Sequence, residues 1–443
     1  MDNATVNPLE VFELQQEYIA PIFPPIPIVL THGRGCYVYD AENNKYLDFM
    51  SGIAVNALGH ADKEISQIIS DQAGKLIHTS TFYINEWAGR LAKSLISATN
   101  QHITETSTAI KDDLRRPSKV IFVNSGSEAN EAALKMARKF AKHITNSSDP
   151  SRAENKYKVV SFQDGYHGST MGALSMSALE IRMLRDPFRP MLSGSVQLQF
   201  NNVEKAVETI DENTCAVIVE PIQGGGGIHI ATYEFLKALR KRCDEVNAIL
   251  IYDEVQCGLG RSGKLWAHMH YGADCAPDII TVAKALGNGL PIGAVILSER
   301  VAKIVSMGDH GSTFGGNPLS CRVGHYVFNR LSEHNFLQKV QDVGNHLLMS
   351  LQDVCKPFYG TLVEEVRGRG MMIAIQFCDQ PNQSFSTSEA FLQLALQRFL
   401  LVIPGAANTI TILPPLILTK EQADSAIATI EECLKVMANS SIN

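Results

Sequence analysis

The sequence lacks the features that would tie the protein to a membrane, to nucleic acid or to the outside of the cell. It contains no apolar run long enough to span a bilayer. Its formal net charge of -7 argues against nucleic acid or an anionic lipid surface as the main partner. The nine cysteines include no Cys-x-x-Cys pair, which favours free thiols in a reducing compartment. No Lys or Arg precedes Arg34, unlike a mitochondrial transit peptide. We therefore expect a cytoplasmic protein.

The length and the order of the elements predict an α/β fold with more than one domain. At 443 residues the chain exceeds a single compact core. Strand and helix patterns alternate from about residue 120 to 300, which predicts a mostly parallel sheet in a large domain over 76–334. An α+β pattern follows, so 335–443 is expected to form a smaller domain. Residues 1–75 are expected to form an arm, irregular over 1–32, and a hairpin that joins the small domain. The polar stretch 100–118 is interpreted as a surface insertion.

Two apolar runs each end on charged residues. Residues 248–252 are followed by Asp253 and Glu254, and residues 279–283 are followed by Lys284. Runs of this kind are typical of buried parallel strands, and ligands in open α/β sheets gather at the carboxyl ends of such strands. The pattern indicates a site that combines an acid with a lysine. The alternative is a strand-end acid with an unrelated surface lysine.

A second site signal lies where a strand runs into a strong helix. The strand 120–123 leads into Ser125-Gly126-Ser127, and a helix is predicted from Glu128 to His143. The first turn of a helix has amides without partners and a partial positive charge, so it binds phosphate readily. The alternative is an ordinary helix cap with a capping-box carboxylate.

These features together match the needs of pyridoxal 5′-phosphate. Its phosphate requires amides and hydroxyls, which residues 125–127 supply. Its ring requires a face to stack on, for which Tyr166 is the candidate. Its ring nitrogen requires an anion in order to stay protonated, and Asp253 can provide one. Its aldehyde requires a lysine, which is Lys284.

Several segments resemble one known family. They are SGIAVNALGH, HTSTFY, NSGSEANEAALKMAR, YHG, VEPIQG, DEVQCGLGRSG, PDIITVAKALGNGLPIGA and HGSTFGGNP. In order and spacing they resemble the class-III (subgroup II) pyridoxal-phosphate-dependent aminotransferases of fold type I, and within these the acetylornithine aminotransferase group, over roughly residues 25 to 435. The resemblance implies an aminotransferase that acts on small amino and keto substrates. It also implies a homodimer with a shared active site.

The resemblance also implies a role for each matching residue. Lys284 would carry the cofactor aldehyde and move a proton between the substrate Cα and C4′, while Asp253 pairs with the pyridine nitrogen. Gln256 would reach the phenolic O3′. The remaining cofactor-binding positions are Ser125, Gly126 and Ser127 for the phosphate, Tyr166 and Val255 for the two ring faces, Glu220 for orienting its polar neighbours, and Thr313 for the phosphate in the other subunit. Ser127 stands where the family has threonine, which keeps the hydroxyl.

Three substrate-pocket positions depart from the family pattern. Ser169 replaces the arginine of HGRT, Gly225 replaces the glutamate of QGEGG, and Thr411 replaces the arginine of IRFAPP. Because bidentate arginine–carboxylate contacts are strong and geometrically exacting, neither serine nor threonine replaces them. We therefore expect a non-standard amine or amino acid substrate. The alternative is that other arginines take over, with Arg34, Arg182 and Arg369 as candidates.

Two other classes of function stay open at this point. Without the arginines, the same cofactor could serve decarboxylation, elimination or carbon–carbon bond formation in specialised metabolism. A non-enzymatic regulatory or scaffold subunit is the third possibility, although Lys284 and Asp253 argue against it. His268-Met269-His270 lacks a third ligand at sensible spacing and is expected to be structural rather than metal-binding. Gly224–Gly227 lacks the context of a dinucleotide fingerprint and is interpreted as a substrate-pocket loop.

Overall fold

A computed structural model describes residues 6–22, 26–106, 113–148, 154–179, 185–379 and 386–440. Its strands form one large and two small sheets. Numbered along the chain, the strands are β1 Leu30–Arg34, β2 Tyr37–Asp40, β3 Lys45–Asp48, β4 Pro117–Val123, β5 Lys158–Phe162, β6 Ser195–Leu198, β7 Thr214–Val219, β8 Ile249–Asp253, β9 Ile279–Val282, β10 Gly293–Ser298, β11 Val363–Arg369, β12 Met372–Phe377, β13 Leu400–Leu401, β14 Ile403–Gly405 and β15 Thr409–Ile412.

The helices lie mainly between the strands of the large sheet and after it. They are α1 Pro8–Tyr18, α2 Ser51–Ala54, α3 Lys63–Ala73, α4 Ala88–Thr106, α5 Gly126–Ser148, α6 Met171–Met176, α7 Val203–Thr209, α8 Tyr233–Glu245, α9 Glu299–Ala302, α10 Pro318–Leu331, α11 His334–Cys355, α12 Thr387–Gln397 and α13 Lys420–Ser440. Within the described ranges, no helix is both long and apolar enough to cross a bilayer.

The large sheet has seven strands in the order β4-β10-β9-β8-β7-β5-β6. The β5–β6, β5–β7, β7–β8 and β8–β9 pairings are parallel, and β10 runs antiparallel to both of its neighbours. Every residue of β7, β8 and β9 is buried, because helices cover both faces of the sheet. The predicted α/β class with a mostly parallel sheet is confirmed.

Helices α5 and α8 cover opposite faces of this sheet. Alanines of α5, including Ala129 and Ala133, pack with Ile218 of β7 and Ile251 of β8. On the other face, α8 packs Phe235 and its apolar neighbours against the alternate residues of the same strands. Because side chains alternate along a strand, an unbroken apolar run supplies both faces. The packing of α5 fixes its N-terminus beside the carboxyl ends of β8 and β9.

The two small sheets contain the ends of the chain. The first has the order β1-β2-β3-β13, in which β13 runs parallel to β3 and so joins the N-terminal hairpin to the C-terminal part. The second has the order β11-β12-β15-β14 and is antiparallel. The predicted hairpin is confirmed, since β2 and β3 flank the turn at 41–44. The division of the chain at residues 76 and 335 remains our proposal.

Two local expectations were wrong. Residues 1–32 are not irregular throughout, because Pro8–Tyr18 is helical and the Asn7 side chain accepts a hydrogen bond from the Leu9 amide at 3.2 Å. Asparagine at the cap and proline in the first turn both favour a helix start. The expected insertion at 100–118 is also shorter, since α4 continues to Thr106 and β4 begins at Pro117. Residues 100–106 are polar but contain no Gly or Pro to end the helix; residues 107–112 lie outside the described ranges.

Candidate active site

A cavity of about 370 Å³ lies at the carboxyl ends of the central strands. This is the edge at which open α/β sheets bind their ligands. The structure brings most of the residues predicted from sequence to its walls. They are Ser125, Gly126, Ser127, Tyr166, Glu220, Gly225, Asp253, Val255, Gln256 and Lys284.

Asp253 and Lys284 face the cavity from neighbouring strands. Asp253 is the last residue of β8, Lys284 follows β9 by two positions, and the parallel register pairs Asp253 with Thr281. Lys284 has a positive φ of 36°, an uncommon conformation for a residue with a side chain. Burial lowers the pKa of the Lys284 amine, although the charges of Glu220 and Asp253 oppose that shift. A larger neutral fraction makes more of the amine available to accept a proton.

The Asp253 carboxylate is held by three donors, two of them on side chains that the sequence analysis missed. Oδ2 lies 2.8 Å from His167 Nδ1 and accepts a hydrogen bond from Asn130 Nδ2 at 2.7 Å. Oδ1 accepts from the Val255 amide at 3.0 Å. Asn130 is fixed in turn by Thr281, whose hydroxyl donates to Asn130 Oδ1 at 2.8 Å. Hydrogen bonds to both of its oxygens thus orient this carboxylate, which is only 3% exposed.

Two further buried groups respond to Asp253. Burial disfavours the charged form of His167, but its contact with the Asp253 carboxylate and that group's charge outweigh burial and raise the pKa of the imidazole. Burial, together with the charge of Asp253, raises the pKa of Glu220 to about 7, against the favourable charge of His167. The Glu220 carboxylate accepts hydrogen bonds from the amides of Tyr166 at 2.8 Å and Gly224 at 2.9 Å. Glu220 thus links the backbone at Tyr166 to the backbone at Gly224, beside the wall residue Gly225.

The start of α5 forms another wall. The Glu128 amide donates to Ser125 Oγ at 3.2 Å, and the Glu128 carboxylate accepts from the Asn124 amide at 2.7 Å, so the capping interpretation holds. It does not exclude an anion site, because the amides of Gly126 and Ser127, in the first turn, have no acceptor within the helix. Gly126 is required here, since a Cβ on it would lie 2.7 Å from Val255 Cγ1.

The residues at the cavity fit pyridoxal 5′-phosphate. A helix N-terminus with two flanking serines suits the phosphate, and the Asp253 carboxyl group suits the ring nitrogen. Gln256 Oε1 is buried and has no hydrogen-bond partner among the described residues, as expected if the cofactor supplies that partner. A Cβ on Gly224 would lie only 2.1 Å from that oxygen, so a side chain at this position would displace the Gln256 amide.

The three substituted positions lie at different places around the cavity. Gly225 is in its wall, and a Cβ there would meet only Tyr166 and Leu179, at 3.4 Å and 3.6 Å. Ser169 is exposed beside the cavity, with its hydroxyl 2.9 Å from the Tyr166 hydroxyl. Thr411 is buried on β15, outside the cavity lining. The backbone links its hairpin to the wall, since the Ala406 amide donates to the Gly225 carbonyl at 3.3 Å.

Two other predicted positions lie away from the cavity. Thr313 is exposed and does not reach the cavity of its own chain. His268 lies 2.8 Å from the Glu254 carboxylate through Nδ1, and the same carboxylate accepts from the amides of residues 267 and 268. This buried pair anchors the loop that follows β8. Over the part of the chain that the structure describes, no three metal-ligating side chains converge.

A comparison with protein families and known proteins places the chain clearly. The family model described as aminotransferase class-III matches residues 18–434. The mitochondrial acetylornithine aminotransferase of Neurospora crassa is 42% identical over 420 residues, which cover 95% of this chain and 86% of that relative. The acetylornithine aminotransferase of Caldanaerobacter subterraneus subsp. tengcongensis is 39% identical, covering 95% of this chain and 98% of that relative.

Solved structures give the same assignment. The ornithine aminotransferase from Toxoplasma gondii ME49 superposes with a TM-score of 0.87 at 26% identity, covering 98% of this chain and 96% of that one. The acetylornithine aminotransferase from Elizabethkingia anophelis superposes with a TM-score of 0.82 at 31% identity, covering 97% of this chain and 99% of that one.

Proposed function

The chain belongs to the class-III aminotransferase family, and from that premise we propose that its amino donor or acceptor is not held by the family's usual carboxylate clamp. The protein is a pyridoxal-phosphate-dependent transaminase related to the acetylornithine aminotransferases. One observation carries the proposal: among the described residues that line the cavity there is no arginine, and Lys284 is the only lysine. Within the described part of its own subunit, a substrate carboxylate therefore finds no guanidinium in the cavity wall.

The arginines that could substitute are placed elsewhere. Arg34 is exposed on β1. Arg369 lies over the Tyr271 ring, 5.7 Å from its centroid, and Arg367 donates to the Gly227 carbonyl at 2.8 Å. None of these three lines the cavity; Arg182 falls outside the described residues. The arrangement favours an amine, or an amino acid whose carboxylate is recognised differently, over a standard dicarboxylate acceptor.

The proposed mechanism assigns a task to each residue around the cavity. Pyridoxal phosphate supplies an aldehyde that takes up the amino group and a ring that withdraws electrons from the substrate Cα. Lys284 would move the proton between the substrate Cα and the cofactor C4′, and burial lowers the pKa of its amine, which increases the neutral fraction available for that task. Asp253 holds the proton on the ring nitrogen, with His167 and Asn130 orienting the carboxylate.

The remaining residues bind and orient the cofactor. Ser125, Gly126 and Ser127 receive the phosphate at the start of α5, as a helix N-terminus favours. Tyr166 and Val255 would contact the two faces of the ring, and Gln256 would hydrogen-bond the phenolic oxygen. Glu220 acts indirectly, by holding the backbone at Tyr166 and Gly224.

The proposal includes a homodimer. Thr313 is exposed, and in a second copy it would reach the cofactor phosphate of its partner. Three consecutive large side chains are also exposed, namely Phe82 at 93%, Tyr83 at 73% and Ile84 at 104%. Exposed apolar clusters of this kind mark interaction surfaces. Light scattering at gel-filtration concentrations should give twice the mass of the chain, and Thr313→Ala should weaken cofactor retention without changing that mass.

A reducing compartment, with the cytosol as its first candidate, is also proposed. All nine cysteines are free and eight are buried, as expected of a protein that folds without disulfides. The names of several relatives, including the one from Neurospora crassa, carry the word mitochondrial. Imaging of a C-terminally tagged protein distinguishes the cytosol from the mitochondrion.

The test is a single-turnover screen of amino donors. Holoenzyme is mixed with one donor at a time, and the loss of the absorbance of the lysine-bound cofactor is followed without an acceptor. We expect amines lacking an α-carboxylate to convert the cofactor faster than N-acetylornithine does. The second candidate donor, suggested by the names of the relatives, is N-acetylornithine, tested with 2-oxoglutarate as the acceptor. Ordinary turnover of that pair would refute the altered-substrate proposal and establish the second candidate.

Two variants sharpen the screen. Ser169→Arg restores a guanidinium beside Tyr166 and should improve conversion of donors that carry a carboxylate. Lys284→Ala is the blank, because it should convert none of the donors. Decarboxylation or elimination would leave the lysine-bound cofactor unchanged after one turnover. No relative named above supports these reactions, since each is an aminotransferase.

A further inference from the structure

A second cavity, of about 450 Å³, lies on the far side of the glycine loop 224–227 from the candidate active site. Gly225 lines the first cavity, whereas Gln223 and Ile228, at the two ends of the loop, line the second. The polar side chains of the second cavity are Gln163, Asp164, Gln199, Asn201, Gln223, His229, Glu365 and Arg367. Its volume is within the range of small-molecule sites.

The fold places this cavity where ligands are expected. Gln163 follows the last residue of β5, and Gln199 follows the last residue of β6, so both stand at the carboxyl edge of the large sheet. The antiparallel small sheet contributes Glu365 and Arg367 of β11 to the wall of the cavity. Open α/β sheets bind ligands at this edge. No side chain that lines this second cavity has a role in the proposed amino transfer.

One wall group has unused hydrogen-bonding capacity. Gln223 is 1% exposed and donates through Nε2 to the Gln163 carbonyl at 2.7 Å, but its Oε1 has no partner among the described residues. A buried amide oxygen without a donor is costly and calls for a ligand or a water. Ile228, in the same wall, has a φ of 61°, which is rare for a β-branched residue and typical of functional sites.

The charges of the second cavity suit a zwitterion. Arg367 presents a guanidinium whose Nε donates to the Gly227 carbonyl at 2.8 Å and whose Nη2 donates to Gln376 Oε1 at 3.1 Å. Its Nη1 bonds Glu365 at 2.8 Å, and because the Glu365 side chain is 57% exposed, this third partner can be displaced. Asp164 and Glu365 contribute two carboxylates. Burial, with the charge of Arg367, lowers the pKa of His229, which keeps this neighbour neutral. A guanidinium recognises a carboxylate, while carboxylates and an amide oxygen recognise an ammonium group.

We propose that the second cavity binds a free α-amino acid, with its carboxylate at Arg367 and its ammonium group at Gln223 and Asp164. The site is separate from the candidate active site but shares the glycine loop with it. An amino acid bound there contacts Asp164 and Gln223, which are two residues from Tyr166 and Gly225 in the wall of the first cavity. Its binding therefore restrains that wall.

The experiment uses holoenzyme in which borohydride has fixed the cofactor to Lys284, so that no amino group can be transferred. Free L-amino acids are titrated by calorimetry, together with the matching amines and 2-oxo acids. We expect at least one amino acid to bind, and its amine and 2-oxo acid counterparts to bind at least about tenfold more weakly. Because the transfer chemistry is blocked, this outcome does not depend on the substrate proposed above.

Gln199→Trp locates the binding site. Gln199 is exposed at the cavity and makes no side-chain hydrogen bond within the described residues, so a bulky side chain there fills the cavity without breaking a contact. Its matched control is Gln338→Trp, on the exposed face of α11. Binding should disappear in the first variant and persist in the second. A measurement on the unsubstituted protein supports the location independently, since amide exchange in 224–227 should slow when the amino acid binds.

Three results would overturn the proposal. The first is that no amino acid binds the reduced holoenzyme. The second is that a 2-oxo acid or an amine binds as tightly as the amino acid, which shows that the site does not recognise both charged groups of a zwitterion. The third is binding that leaves exchange at 224–227 unchanged or survives Gln199→Trp, which places the ligand elsewhere.

Discussion

Replacing His167 by phenylalanine tests how the cavity controls its acid. The substitution keeps a ring of similar size but removes one of the donors to the Asp253 carboxylate, which is only 3% exposed. A hydrogen bond to a buried charged group contributes about 1.5–3 kcal/mol. If that stabilisation acts on the carboxylate that keeps the ring nitrogen protonated, kcat/KM should fall about ten- to a hundredfold, since each 1.36 kcal/mol is about tenfold in rate.

The chain contains a matched control for this substitution. His268 is 5% exposed and lies 2.8 Å from the buried Glu254 carboxylate, but it does not line the cavity. His268→Phe should therefore destabilise the fold by a similar amount while changing the kcat/KM of the cofactor-loaded fraction far less. Both variants are compared by thermal unfolding and by steady-state kinetics with one donor found in the screen.

A second readout separates orientation from simple loss of stability. His167→Gln keeps a donor and should recover part of the rate that His167→Phe loses. The reasoning fails if His167→Phe and His268→Phe lower stability equally and leave equal kcat/KM values. In that case Asn130 and the Val255 amide suffice to hold Asp253.

Three other substitutions give direct expectations. Lys284→Ala should lower the transamination rate at least about 10²-fold and leave the cofactor removable by gel filtration, seen as loss of visible absorbance. Gly126→Ala should weaken cofactor binding about tenfold, measured by fluorescence titration, because the new Cβ would lie 2.7 Å from Val255 Cγ1. Glu220→Gln should flatten the pH dependence of stability. The pKa of Glu220 is raised from 4.5 to about 7, so the folded state binds the extra proton and the wild type should lose stability as pH rises from 4.5 through 7. This assignment is contradicted if the melting temperature of the variant falls with pH over that interval as steeply as that of the wild type.

The sequence predicted those parts of the site that depend on local patterns. The strand ends at Asp253 and Lys284 and the helix start at 125–127 each have a signature of a few consecutive residues. Their meeting at one edge then follows from the parallel order of the strands. The resemblance to the family added Glu220 and Gln256, which local patterns alone do not single out.

His167 and Asn130 were missed because their roles depend on contacts between distant segments. Asn130 lies 123 positions before Asp253, and the two meet only because α5 packs on β8 and β9. A signal was present in each case. Asn130 is a polar residue next to the alanines of the buried face of α5, and His167 follows directly after the aromatic residue that was singled out. A buried polar side chain on an otherwise apolar helix face predicts a partner, but not which one.

The second cavity could not be predicted from sequence either. Gln163, Gln199 and Gln223 each look like ordinary loop residues, because each follows a different strand. They share one wall only through the order in which those strands are arranged, and Arg367 reaches them from a different sheet. Patterns within a window of residues carry no information on such a meeting.

The parallel pairing of β3 with β13 has a consequence for the synthesis of the chain. Strand β3 ends at Asp48, but the strand that completes its sheet begins at Leu400. At about 5–20 residues per second, the ribosome needs roughly 20–70 s to make the intervening chain. During that time the hairpin carries an open edge, and open edges pair readily with other strands. A nascent-chain chaperone that shields residues 30–48 would raise the yield of folded protein, whereas one that acts only on the finished chain would come too late.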